Sequence, residues 1–328
     1  MNDIATQYRI ISSGAGWIEK TVRGRLQFDG ADRVAFLQAL VTNEIASLAP
    51  ATGAYAAYLT PQGRMITDMH VFVRKQSVIA DVPATLAATL AETFDRLIFA
   101  EDVRVSDQSA AVRQFSVFGG GAVELLGRAF KLPPEKIRGL PTWSQLDVQG
   151  SGGFLVRTDE LEAGSWDVFV PAAAADAVIA AFESAGIVPA SAELAEALRI
   201  DEGRPLFGVD MTSETIPLEA GLLDRAISQS KGCYVGQEVI VRVLHRGGGR
   251  VAKRLAQLTC NQRDAAVPAA GSKIVVDGQG VGVVTSAAWS PRTERVVALG
   301  YVSRDAAEPG RSVSIDGSGS ATITKLAS

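Results

Sequence analysis

The change of pattern at residue 253 constrains this chain more than any other feature. Beyond it the sequence breaks into short strand-like runs, 255–259, 273–276, 280–286, 295–302, 311–315 and 321–326, parted by turn signals such as Asp277-Gly278 and Asp316-Gly317. Strands at that spacing with no helix among them predict a small β-barrel or sandwich. Upstream, strand and helix patterns alternate instead, so the chain combines two architectures. Its 328 residues also exceed what one hydrophobic core organises, roughly 250–300 residues, so two or three domains are expected.

The upstream part starts with an alternating strand, Arg25-Leu26-Gln27-Phe28, and a turn, Asp29-Gly30-Ala31-Asp32, whose aspartate is placed to cap a helix bearing Val34, Leu37, Leu40 and Val41. Residues 55–73 read as a hairpin around Pro61 and Gly63. On its returning strand the period of two puts Asp68 on the face of Ile66, His70 and Phe72. If that face is buried the carboxylate needs a partner or a ligand; at a solvated edge it needs neither. A strand over 78–82, a helix opened by Pro83, and strands over 103–105 and 115–118 follow. Gly119-Gly120-Gly121 lacks the spacing of a phosphate-binding loop and reads as a tight strand-to-helix turn. After Pro133-Pro134 come strands 154–157 and 166–170, an Ala-rich helix 172–184, and a helix 192–201 stopped by Gly203-Arg204-Pro205. The fold class expected is α+β: two subdomains of ferredoxin-like type, 1–130 and 131–250, and a β-barrel over 251–328.

Composition removes several function classes. A net charge of −4 opposes a chain built to grip nucleic acid, which needs a clustered excess of Lys and Arg. No apolar run reaches the ~20 residues that span a bilayer, and the first residues carry no signal or transit pattern, so a soluble cytoplasmic protein is expected. Two cysteines and two histidines make neither a disulfide framework nor a zinc or iron–sulfur site of the chain's own.

One stretch concentrates the rarest residues: Lys231-Gly232-Cys233-Tyr234-Val235-Gly236-Gln237-Glu238, followed by Arg242, His245, Arg246, Gly247 and Arg250. A cysteine two positions after a lysine is either a thiol made acidic by nearby positive charge or a small buried hydrophobe. The motif with Arg242 resembles the signature of the YgfZ-type folate-binding proteins, which include mitochondrial factors for maturing 4Fe–4S proteins. Leu40-Val-Thr-Asn-Glu-Ile45, Gln62-Gly-Arg-Met-Ile-Thr-Asp68, Leu198-Arg-Ile-Asp-Glu-Gly-Arg-Pro205 and Ile216-Pro-Leu-Glu-Ala-Gly-Leu222 extend the resemblance along the chain. Residues 280–291 and 298–302 look equally like the barrel of the glycine-cleavage T-protein, an aminomethyltransferase of similar fold.

The resemblance implies a tetrahydrofolate pocket. Asp68 matches the acid facing the reacting end of folate, with Thr67 where the family carries a second acid. Asp167, in Gly164-Ser-Trp-Asp167, matches the acid that pairs with the pterin's amino-pyrimidine edge, and Arg199 an arginine suited to folate's glutamate carboxylates. Trp166 reads as core and Arg199 equally as a helix-surface ion-pair partner. The reading favoured by the motif is a folate-binding accessory protein for assembly or repair of 4Fe–4S proteins, with iron–sulfur clients as partners and Lys231 sharpening the Cys233 thiol. Its alternatives are a folate-dependent aminomethyltransferase or demethylating enzyme acting through Asp68, and a partner-binding scaffold.

Overall fold

In the computed structural model residues 4–161, 164–245 and 248–327 are described. Arg246 and Gly247, in the basic tail of the cysteine motif, lie outside them. Among the described residues eleven strands precede residue 190: β1 (Gly16–Glu19), β2 (Arg23–Asp29), β3 (Thr52–Leu59), β4 (Met65–Val73), β5 (Ser77–Pro83), β6 (Arg104–Asp107), β7 (Val112–Phe118), β8 (Gln145–Val148), β9 (Gly153–Thr158), β10 (Ser165–Pro171) and β11 (Val188–Pro189). Six follow: β12 (Lys253–Cys260), β13 (Lys273–Val276), β14 (Gln279–Ser290), β15 (Arg295–Ser303), β16 (Ser312–Ile315) and β17 (Gly319–Leu326). The helices are α1 (Ile4–Ser13), α2 (Arg33–Leu40), α3 (Ala87–Asp95), α4 (Ala122–Phe130), α5 (Pro134–Arg138), α6 (Ala175–Ala185), α7 (Ala192–Glu202), α8 (Leu223–Ala226) and α9 (Gln237–His245). Among the described residues no helix is long and apolar enough to cross a membrane.

The α+β class and the terminal barrel expected from the sequence are both present. Strands β12 to β17 close into a barrel in the order β12-β15-β14-β13-β16-β17. The upstream strands form a five-stranded sheet, β3-β4-β5-β2-β6, and a six-stranded sheet, β11-β1-β7-β10-β9-β8. The six-stranded sheet takes β1 and β7 from before residue 130 and β8 to β11 from after it, so its strands are not contiguous in sequence.

Two compact units result. One comprises Met1–Gln38, Glu44–Tyr55 and Met69–Leu194; the other Ala39–Asn43, Ala56–Asp68 and Ala195–Ser328. In the first, the period of two divides the six-stranded sheet cleanly. Phe115, Val117, Trp166, Val168 and Val170 face a core with Leu126 and Phe130 of α4 and Val178 and Phe182 of α6. Trp166 is thus core, as its plainer reading held. The opposite face carries Gln114, Ser116, Asp167 and Phe169, and Phe169 packs on Phe72 of β4 with ring centroids 5.2 Å apart. The first unit therefore has two sheets face to face, apolar at Phe72, Phe154 and Phe169 and polar beyond them.

In the second unit the barrel is filled by Leu258, Ile274, Val284, Val296, Val313 and Ile323. Its outer face takes Ile200 of α7 against Leu255, Val297 and Leu299. Near the start of the chain, the Asp32 side chain is engaged away from α2. It accepts a hydrogen bond from the Asp102 amide instead (2.8 Å), closing the neck of a loop.

Candidate functional site

In the first unit the polar face holds a network of buried charges. Asp81 breaks the apolar run of β5 and is paired directly across the ladders with His70 of β4 and Arg25 of β2. Its carboxylate accepts from Arg23 Nε at 2.7 Å, His70 Nδ1 at 3.3 Å and Gln114 Nε2 at 3.1 Å. Arg23 also donates to the Asp81 carbonyl at 2.7 Å. Burial works against ionising Asp81, yet Arg23, His70 and Lys20 together hold its carboxyl well below the usual range. His70 is sandwiched between Tyr55 and Trp143, with centroids 4.7 and 4.8 Å away, and its Nε2 lies 3.4 Å from Glu160. Burial pushes the imidazole down, but the hydrogen bond to Asp81, the nearby Glu160 carboxylate and the Asp81 charge prevail and raise it.

Gln114 links this network to Asp167. Its amide donates to Asp81 Oδ2 and also to Asp167 Oδ2, at 2.9 Å, and Lys20 Nζ reaches the same Asp167 oxygen at 3.0 Å. The Lys20 ammonium loses to burial but gains more from Asp167, Glu160 and Asp81, so it is raised and stays charged. Among the described residues of this network, the buried oxygens Asp167 Oδ1 and Gln114 Oε1 have no hydrogen-bond partner, nor has His70 Nε2. Asp167 and Gln114 are 2% and 1% exposed, and buried polar atoms in folded proteins are nearly always paired. These two oxygens keep the capacity to accept a hydrogen bond that the described residues do not supply.

In the second unit the sequence motifs meet one another. Lys231 is buried, and its ammonium donates to the carbonyls of Val41 and Asn43 at 2.6 and 2.9 Å while lying over the Tyr234 ring. Thr42 is tied to the same region through its hydroxyl, which donates to the Ala226 carbonyl at 2.6 Å. Burial pushes the Tyr234 phenol up to about 12. Gly236 has φ +82, and a Cβ there would stand 2.5 Å from the Thr60 carbonyl oxygen. From the other side, a Cβ on Gly63 would lie 2.8 Å from Val239 of α9. Lysine and glycine thus fasten the motif to segments 41–43 and 59–63, and Cys233 and Gly232 project from it exposed. Gln237 and Glu238 begin α9, and Arg242 lies on its exposed side.

Asp68 is buried, 4% exposed, and its backbone carbonyl accepts the Thr67 hydroxyl at 2.9 Å, so the buried alternative for its face holds. Arg199 occupies a different setting from the one the resemblance suggests. Its guanidinium donates to Glu196 through two nitrogens, to Asp210 at 2.6 Å, and to the Arg204 carbonyl. Asp210 in turn accepts from Ser286 at 2.7 Å, so Arg199 joins α7 to the barrel. Four of its five N–H groups are committed within the unit, which leaves little for a ligand carboxylate. The sequence reading did not single out Lys20, Gln114, Asp81 or His70. The one available signal was Asp81, an acid inside the apolar run Val78–Val82. Among the described residues no group of three or more His, Cys, Asp or Glu is placed to hold a metal ion.

Comparison with known proteins covers nearly the whole chain. Residues 1–231 match the family model described as the GCVT N-terminal domain, and residues 253–327 the glycine cleavage T-protein C-terminal barrel domain. An Arabidopsis thaliana chloroplastic protein assigned as a transferase is 28% identical over 300 residues, 89% of this chain and 66% of its own length. An aminomethyltransferase of a Picosynechococcus species is 26% identical over 319 residues, 95% of this chain and 85% of the relative. The crystal structure of aminomethyltransferase T of the glycine cleavage system from Bartonella henselae superposes with a TM-score of 0.86 at 19% identity, covering 98% of this chain and 88% of that one.

Proposed function

The chain belongs to the glycine-cleavage T-protein family, and from that premise we propose that it binds tetrahydrofolate and transfers a one-carbon unit to or from it, as an aminomethyltransferase-like enzyme. The observation that carries the reading is the buried, unpartnered Oδ1 of Asp167. A pterin offers an edge of N–H donors, and a carboxylate with one oxygen unclaimed fits that edge. Asp68 is the carboxylate assigned to the reacting end, where it would accept or release a proton at the folate amine. Thr67 beside it is uncharged, so proton transfer rests on Asp68 alone in this reading. When bound, the folate supplies the one-carbon chemistry; the chain orients it and keeps water away.

Titration of the protein with tetrahydrofolate, wild type against Asp167→Ala, tests the binding. Saturable binding that weakens at least tenfold in the variant is expected, and no binding by wild type overturns the proposal. Turnover is tested separately with aminomethyl thioether donors, whose carbon is already at the formaldehyde level and leaves ammonia and a thiol behind: formation of 5,10-methylene-tetrahydrofolate that Asp68→Asn abolishes is expected. Failure with every donor would leave folate binding without the enzyme.

Exposure of Cys233 favours a second reading, the accessory role for 4Fe–4S proteins with the thiol presented to a client. The relatives named above are transferases by name and lend this role no support. It stands or falls on complementation: loss of the gene should lower 4Fe–4S enzyme activities, and Cys233→Ala should not restore them. Full rescue by Cys233→Ala would remove the thiol from any such role.

A further inference from the structure

Three adjacent strands present a row of polar side chains in the first unit. Strand β7 lies between β1 and β10, with Glu19 opposite Phe115 and Asp167 opposite Ser116. Lys20, next after β1, has its amide bonded to the Gln114 carbonyl at 2.9 Å, which sets it beside Gln114. Read across the strands the order is Lys20, Gln114, Asp167, with Asp167 set diagonally to Gln114, whose direct partner on β10 is Phe169. The available valences in that order are a donor, an acceptor and an acceptor. Lys20 has three N–H groups, of which one reaches Asp167. Among the described residues, Gln114 Oε1 and Asp167 Oδ1 are both buried acceptors without partners. The Gln114 amide is not free to turn over, because its NH2 already bridges Asp81 and Asp167. The Lys20 end of the row is its open end, with that side chain 20% exposed and Asp167 2%.

A 2-amino-4-oxo pyrimidine edge carries the complementary sequence: the 2-amino N–H, the N3–H and the 4-oxo oxygen. A 2,4-diamino edge carries donor, acceptor, donor, and so meets an acceptor with an acceptor at its centre and the ammonium with a donor at its end. We propose that Lys20 and Gln114 are specificity-determining residues of the folate site, Lys20 donating to the 4-oxo oxygen and Gln114 Oε1 accepting from N3–H. This rests on the folate reading above and refines it, because it fixes which substitution pattern of the pyrimidine ring the chain accepts. A mismatched edge leaves buried polar groups unpaired, and discrimination by such sites is correspondingly steep.

The test compares tetrahydrofolate with its 4-amino counterpart, tetrahydroaminopterin, by anaerobic calorimetry on the full chain. Wild type should prefer the 4-oxo ligand by on the order of 10- to 100-fold. Lys20→Met should bring the ratio to within about threefold, chiefly by weakening tetrahydrofolate, and Lys20→Arg, which keeps a cationic donor, should retain most of the preference. A wild-type ratio near one overturns the proposal without any variant, and so does a preference that survives in Lys20→Met. Either result with tetrahydrofolate still bound leaves the folate reading intact. Absence of any binding by wild type defeats that reading and this one together.

Discussion

Asp81→Asn is the sharpest test of the buried network. The substitution keeps the shape of the side chain but removes a negative charge that faces Arg23, itself only 7% exposed in its side chain. An amide also has one acceptor where the carboxylate has two. With its oxygen toward Arg23 Nε, its NH2 meets Gln114 Nε2 and the proton on His70 Nδ1; turned over, it meets the Arg23 N–H. Removing one partner of a buried pair costs about 3–5 kcal/mol, and that is the loss expected by urea unfolding near neutral pH. The pH dependence carries an independent signature. Asp81 is held below its ordinary 3.8, so its contribution is present above that pH and lost as acid titrates it in the fold. His70 is raised above its ordinary 6.5, so its contribution is complete below 6.5 and lost as pH rises through the folded value. The gap between wild type and variant should therefore be widest from about pH 4 to 6.5 and narrow on both sides. Asp147→Asn is the control: Asp147 pairs with Arg74 but is 76% exposed, and the change should cost under about 1 kcal/mol. An Asp81→Asn protein within about 1 kcal/mol of wild type, with a gap independent of pH, would show that the network is not held together as described.

Two further predictions concern the cysteine motif. Gly236→Ala should destabilise the chain by roughly 2 kcal/mol or more, because φ is +82 and the new methyl would meet the Thr60 carbonyl; Gly232→Ala, with nothing within 4 Å, should unfold within about 0.5 kcal/mol of wild type. Equal effects of the two would refute the docking of the motif on the hairpin turn. A disulfide reagent should titrate one thiol in the native protein and a second only after denaturation, since Cys233 is exposed and Cys260 is 1% exposed with its thiol pushed up by burial. Two fast thiols, or none, would contradict that placement.

What could be read in the sequence was what adjacent residues decide. The barrel strands, the Pro61/Gly63 turn and the Gly119-Gly120-Gly121 turn are all local patterns, and each reappears. The joining of β1 and β7 to β8 to β11 is not local: Lys20 meets Asp167 across 147 positions, and nothing near residue 20 announces it. The same holds for Gln114, which looks like any strand glutamine until its two carboxylate partners are known. Lys231 shows the converse. Proximity in sequence to Cys233 suggested activation of the thiol, but a lysine side chain is long enough to turn away, and its ammonium is engaged by the Val41 and Asn43 carbonyls.

Hydrogen-bond capacity separates the residues that hold the fold from those open to a ligand, which sequence matching alone does not do. Arg199 and Asp167 were matched to a ligand on equal terms. Arg199 has most of its donors committed to Glu196, Asp210 and the Arg204 carbonyl, so removing it perturbs the join between α7 and the barrel whatever binds elsewhere. Asp81 has both oxygens occupied, by Arg23 on one and by His70 and Gln114 on the other. One hydrogen bond further along the same network, Asp167 and Gln114 each retain a buried acceptor with no partner. Each orphaned buried acceptor costs about 1–3 kcal/mol unless something pairs with it. One of these orphaned acceptors belongs to the residue that the family resemblance assigns to the pterin. That coincidence of an energetic defect with a matched position is the physical argument for placing the ligand there.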